Sequence, residues 1–278
     1  MVARIFLLWC LSAVSCWALP PFVTGESRQR FSVLPVQASA EEVKARLHCQ
    51  ENPGSFDPGA DTFTVHVPSE YRHETAWGVL VWISPSDSAR IPAPWLAVLA
   101  QKRLLFVGAE KAGNPRNILD RIRLAVSANV AMRERFHVDG RRVYVAGFSG
   151  GGRVASMLGV AWADMFSGSL PMMGVNFYTD LPSADGRRLH PPQYIPDDTV
   201  LEIAKGRTRH VLITSEKDFN RADTRIVFEK GYRQEGFSHV GLLEIPGLGH
   251  GMPPAEWLDR ALTALDSRIP GAGSEKKP

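Results

Sequence analysis

From Asp61 onward the chain alternates between short apolar runs and stretches with helical spacing. WGVLVWISP (77–85) and LLFVGAE (104–110) stay apolar at successive positions, the pattern of strands covered on both faces of a sheet. TFTVHVP (62–68) alternates strictly instead, which predicts a half-exposed edge strand. Trp95 to Gln101 has helical spacing. After Asn114-Pro115, Ile118, Ile122, Ala125, Val126, Val130 and Met132 recur at three to four residues, predicting a long amphipathic helix as far as Phe136. Further strands are predicted over RVYVAGF (142–148), SGSLPMMG (167–174), HVLITSEKD (210–218) and VGLLEIPG (240–247), with helices after residue 152, near Arg221 to Gln234 and near Glu256 to Leu265. Repeated alternation of strand and helix predicts a three-layer α/β fold: a mostly parallel central sheet with helices on both faces. Such a sheet carries its active loops at the C-terminal ends of its strands.

Two stretches break the rhythm. Residues 175–209 are loop-rich and hold the aromatics Phe177, Tyr178 and Tyr194, as a functional insertion near a site would. Residues 19–40 mix Pro, Ser and Gln without period and read as a linker. The folded domain is therefore expected over 41–269, followed by a disordered tail over 270–278.

The N-terminus has a different character. Met1 to Arg4 gives a short positive start, Ile5 to Val14 is a continuous apolar run, and Cys16-Trp17-Ala18 puts small residues where a signal peptidase cuts. The run is far shorter than the ~20 residues a membrane-spanning helix needs. Residues 1–18 read as a signal peptide, so a secreted or periplasmic protein without a stable membrane span is expected. A lipoprotein acylated at Cys16 is the alternative.

Composition narrows the partners. Of 278 residues 44% are hydrophobic and 22% charged, the proportions of a globular protein. Lys plus Arg is 32 and Asp plus Glu 29, with the basic residues scattered, so no nucleic-acid partner is expected. The three cysteines, Cys10, Cys16 and Cys49, form neither a CxxC pair nor a Cys/His cluster, and no metal site follows from them. Loss of the leader would leave Cys49 alone.

The chemistry is concentrated in Gly147-Phe148-Ser149-Gly150-Gly151, between an apolar strand and a helix. A turn this sharp excludes side chains at its flanking glycines and lifts Ser149 above the sheet. The helix that follows supplies free N–H groups, with Gly150 as first oxyanion donor. A serine hydroxyl needs a base, and the base a carboxylate to orient it. Asp218 ends one later strand and His250 follows another, in a Gly-His-Gly context. Competitors are His190 and His239 for the base, and Glu216 and Asp223 for the acid. The second oxyanion donor is expected from the loop after WGVLVWISP. Pro85 has no N–H, which leaves Ser84 or Ile83, with the Ser84 hydroxyl able to assist. Phe148 and the insertion's Phe177, Tyr178 and Tyr194 are expected to line the acyl or alcohol pocket. No cofactor is required.

The segments RVYVAGFSGGGRVASM (142–157), SEKDFN (215–220) and GLGHGMPPAEWL (247–258) resemble the α/β-hydrolase superfamily. Within it, Asp139-Gly-Arg-Arg-Val-Tyr-Val-Ala-Gly-Phe-Ser149 is similar to secreted esterases of the polyhydroxybutyrate depolymerase and feruloyl esterase group. Two features depart from that group: Ile83-Ser84-Pro85 stands where a His-Gly run is usual, and paired disulfides cannot form. The resemblance implies a serine hydrolase acting on small-molecule or polymer carboxylic esters. A serine peptidase of the same fold, or a catalytically silent relative acting as a binding protein, are the other readings.

Overall fold

The apolar runs pair into one eight-stranded sheet. A computed structural model describes residues 22–32, 34–54, 57 and 59–267. The signal peptide expected over 1–18 and the tail over 270–278 lie outside the described residues. In chain order the strands are β1 (Gly25–Arg30), β2 (Thr62–Val67), β3 (Trp77–Ile83), β4 (Leu104–Ala109), β5 (Val138–Phe148), β6 (Gly168–Met172), β7 (Leu181–Pro182), β8 (Leu189–His190), β9 (Arg209–Ser215) and β10 (Val240–Ile245). The sheet order is β1-β2-β4-β3-β5-β6-β9-β10, while β7 and β8 form a separate two-stranded ribbon. Only the pairings of β2, with β1 and with β4, are antiparallel among those in the large sheet.

The helices are α1 (Ala40–Leu47), α2 (Trp95–Gln101), α3 (Ile118–Arg135), α4 (Gly150–Ala161), α5 (Asp198–Gly206), α6 (Arg221–Ile226), continued by a π-helical segment over Val227–Arg233, and α7 (Ala255–Asp266). They divide the core into two layers. Val79, Val81 and Ile83 of β3 point into one, with α1, α3 and α4; Leu80 and Trp82 point into the other, with α2 and α7. Successive side chains of a strand face opposite ways, so a strand buried on both faces shows no alternation. Among the described residues no helix is long and apolar enough to cross a membrane.

Three expectations are corrected. The stretch read as a linker contributes β1, a short 3-10 turn over Val36–Ala38 and the fully buried Phe31 and Ala38. β1 is the polar segment GESRQR, whose alternate exposure is that of an edge. It therefore carries no apolar signature, and by pairing with β2 it makes that strand an interior one, buried from Phe63 to Val67. Helix α3 is not amphipathic: Asp120, Arg121, Arg123, Ser127 and Asn129 are all buried with its apolar residues. The N-terminal segment covers its outer face, where Arg123 donates to the Ala38 carbonyl at 2.8 Å.

Candidate active site

The turn from β5 into α4 holds Ser149 at φ 54° and ψ −119°, a conformation that costs an L-residue energy. Two glycines make it possible. A Cβ at Gly147 would strike the Gly151 carbonyl, and one at Gly151 would strike the Ile83 carbonyl at the end of β3. The backbone is pinned from the other side, since Ser149 N–H donates to the Met172 carbonyl of β6 at 2.8 Å.

Asp218 lies three residues beyond β9, with its side chain fully buried. Its Oδ1 accepts from the Asn220 N–H at 3.1 Å and its Oδ2 from the Thr214 hydroxyl at 3.2 Å. The Asn220 side chain in turn donates to the Met173 carbonyl at 2.8 Å, tying the acid loop to the end of β6. A buried carboxylate is tolerated when its lone pairs are satisfied in this way.

His250 sits on the loop between β10 and α7. Four hydrogen bonds hold that loop. Gly247 N–H donates to Glu216 Oε2 (2.7 Å), Lys217 N–H to the Leu248 carbonyl (3.0 Å), Ser215 Oγ to the Gly249 carbonyl (2.8 Å) and Trp95 Nε1 to the Pro253 carbonyl (3.0 Å). The imidazole bridges the other two residues: Nδ1 is 2.7 Å from Asp218 Oδ1 and Nε2 is 2.9 Å from Ser149 Oγ. With Nδ1–H donating to the carboxylate, Nε2 keeps its lone pair for the serine proton. The competitors are elsewhere. Glu216 braces the loop, Asp223 lies in the first turn of α6, His190 is exposed in β8, and the His239 carbonyl accepts from His210 N–H.

Gly150 is the first residue of α4, where N–H groups have no acceptor within the helix. The close approach of Gly151 to the Ile83 carbonyl brings the end of β3 beside that turn. The Ser84 hydroxyl, expected to assist there, accepts instead from the Ser86 N–H at 3.1 Å and closes its own loop. Behind it lies Arg121, a buried guanidinium that donates to the Ser84 carbonyl at 2.9 Å and that burial pushes down to about 10. Sequence reasoning missed this arginine, because α3 reads as a helix with a solvated polar face.

Two more residues at the site were not foreseen. The Asn114 side-chain amide lies against the Cα of Gly150, leaving no room for a Cβ, and its backbone N–H donates to the Pro85 carbonyl at 2.9 Å. The Phe219 ring stacks on the His250 imidazole, with centroids 4.2 Å apart and planes at 30°. An apolar residue directly after the acid, in the polar stretch SEKDFNR, was the available signal.

Of the expected pocket residues, Phe148 is half-buried and its ring lies 5.1 Å from His250, beside the triad. Phe177, Tyr178 and Tyr194 are a correction. They are buried in an aromatic cluster with Tyr232 and Phe237, and the Tyr178 hydroxyl donates to Glu235 at 3.2 Å. The insertion folds down onto the π-helical segment and uses its rings as core, where large aromatic surfaces gain most from burial.

The chain has the α/β-hydrolase fold. No family model and no curated protein sequence matches it, and the likeness is one of structure. The feruloyl esterase module from Clostridium thermocellum, complexed with sinapinate, superposes with a TM-score of 0.56 at 12% identity, covering 74% of this chain and 83% of that one. The S-formylglutathione hydrolase of Staphylococcus aureus gives 0.51 at 13% identity over 74% and 92%. A thermostable carboxylesterase cloned from a metagenomic library gives 0.54 at 17% identity over 74% and 84%.

Proposed function

We propose that this chain is a serine hydrolase that cleaves carboxylic esters through an acyl-enzyme intermediate. One observation carries the reading: the unbroken relay from Ser149 Oγ through His250 to the buried Asp218, at 2.9 and 2.7 Å. Ser149 Oγ attacks the ester carbonyl carbon as Nε2 accepts its proton. The carbonyl oxygen becomes an oxyanion held by the Gly150 N–H, with Ile83 or Ser84 N–H as second donor. The imidazolium, stabilised by Asp218, returns the proton to the alcohol oxygen as the C–O bond breaks, and water then repeats the cycle on the acyl-enzyme. His250 has to be neutral to act as base. Most of the structural neighbours are named as esterases or as an S-ester hydrolase and one as a dipeptidyl aminopeptidase IV, a balance that favours esters over amides.

The test is a panel of p-nitrophenyl esters of increasing chain length, with methyl ferulate and a matched p-nitroanilide, run beside Ser149→Ala. Esters turn over faster than the anilide, and Ser149→Ala lowers kcat by about 10⁴-fold or more. Turnover that survives in Ser149→Ala overturns the nucleophile, and faster anilide cleavage favours a peptidase. The apolar run in residues 1–18 supports export, in which case the mature N-terminus reads Leu19 on Edman sequencing. A mature chain that starts at Met1 contradicts it.

A further inference from the structure

We propose that Phe219 forms the leaving-alcohol subsite and selects carboxylic esters whose alcohol carries an apolar ring. The inference rests on the esterase reading above and adds to it a substrate class. Among the described residues Phe219 is the most exposed large hydrophobic side chain, at 75%. The other strongly exposed ones, such as Val36, Leu189 and Ile195, are single aliphatics on the N-terminal segment and the insertion, of a kind found on any surface. Phe219 differs in position: one face is stacked 4.2 Å from the base of the relay while the ring as a whole stays open to solvent.

The chemistry of the site decides which part of a substrate meets that ring. The acyl oxygen has to lie at the first turn of α4, where Gly150 N–H is free. The proton that Nε2 takes from Ser149 has to pass to the alcohol oxygen, so the alcohol lies along the imidazole edge. The ring stacked on the imidazole is the apolar surface an alcohol group meets as it extends outward. Ring on ring gives offset or edge contacts that an alkyl chain matches less well. Phe148, also against His250 at 5.1 Å, extends the apolar wall on the side of the serine turn.

The measurement compares kcat/KM for 2-phenylethyl acetate and ethyl acetate. Both give the same acetyl-enzyme, so the ratio reports on the alcohol alone. The parent favours the phenylethyl ester, and Phe219→Ala lowers the ratio about tenfold, the scale of one aromatic contact plus its buried area. Phe219→Trp retains the ratio. A ratio indifferent to Phe219→Ala overturns the subsite, even if both rates fall together through a displaced His250. A Phe219→Ala effect confined to the pair methyl 3-phenylpropanoate and methyl propanoate also overturns it, by moving the ring to the acyl side. If the parent hydrolyses neither acetate and takes no fluorophosphonate label, the esterase reading fails and the subsite with it.

Discussion

The turn that holds Ser149 at φ 54° rests on Gly147 and Gly151, which approach neighbouring carbonyls too closely for a Cβ. Gly151 is the tighter of the two, and Gly151→Ala forces a Cβ into the Ile83 carbonyl. A loss of about 3 kcal/mol in urea-unfolding stability is expected, because backbone rather than a flexible side chain has to move. The acid makes a different prediction. Asp218→Asn keeps the shape of the loop but favours the wrong imidazole tautomer, so kcat falls about 10⁴-fold while the urea midpoint changes little. Ser149, Asp218 and His250 were legible in the sequence, since each stands just past a strand with glycine or turn residues around it. Asn114, Arg121 and Phe219 were not placed, because their roles arise from contacts between segments far apart in the chain. The three insertion aromatics misled for the same reason: sequence shows a ring in a loop, not whether the loop folds inward.

Strands covered on both faces are easy to read, and β3, β4, β5 and β9 stand close to where the apolar runs predict them. The element that escaped was β1, whose residues GESRQR bury little. Its absence from the sequence reading propagated. Without it β2 looked like an edge, and without the N-terminal segment the polar residues of α3 looked solvated. The same scale explains how His250 is held. Trp95 of α2 reaches the His250 loop through the Pro253 carbonyl in a buried hydrogen bond. Trp95→Phe leaves that carbonyl unsatisfied, an expected cost of about 1–3 kcal/mol in the urea midpoint. A several-fold drop in kcat accompanies it as the loop loosens, and an unchanged kcat would separate the helix from the positioning of the base.

The whole molecule responds to acid through groups far from the relay. His210, buried in the core with Nδ1 bonded to the Ser169 hydroxyl at 2.8 Å, is pushed by burial from 6.5 to about 3. Above pH 6.5 neither the folded nor the unfolded chain protonates this ring, and its stabilising effect is complete. Between there and about pH 3 only the unfolded chain binds the proton, so stability falls with pH by up to about 1.4 kcal/mol per unit. His66, lowered by burial, adds the same sign; Asp120, raised by burial, opposes it. The difference between parent and His210→Gln isolates the ring: urea midpoints measured from pH 7 to 4 decline more steeply in the parent. Parallel curves would remove His210 from the account. At this scale the fold brings the ends of β5, β9 and β10 together, and on the proposed reading Ser149 is thereby a nucleophile. The most direct measurement is reaction with a fluorophosphonate followed by intact mass and peptide mapping. One adduct per chain on Ser149, absent in Ser149→Ala and slowed in Asp218→Asn, is the predicted result. No adduct on the folded parent, or an adduct that remains in Ser149→Ala, contradicts it.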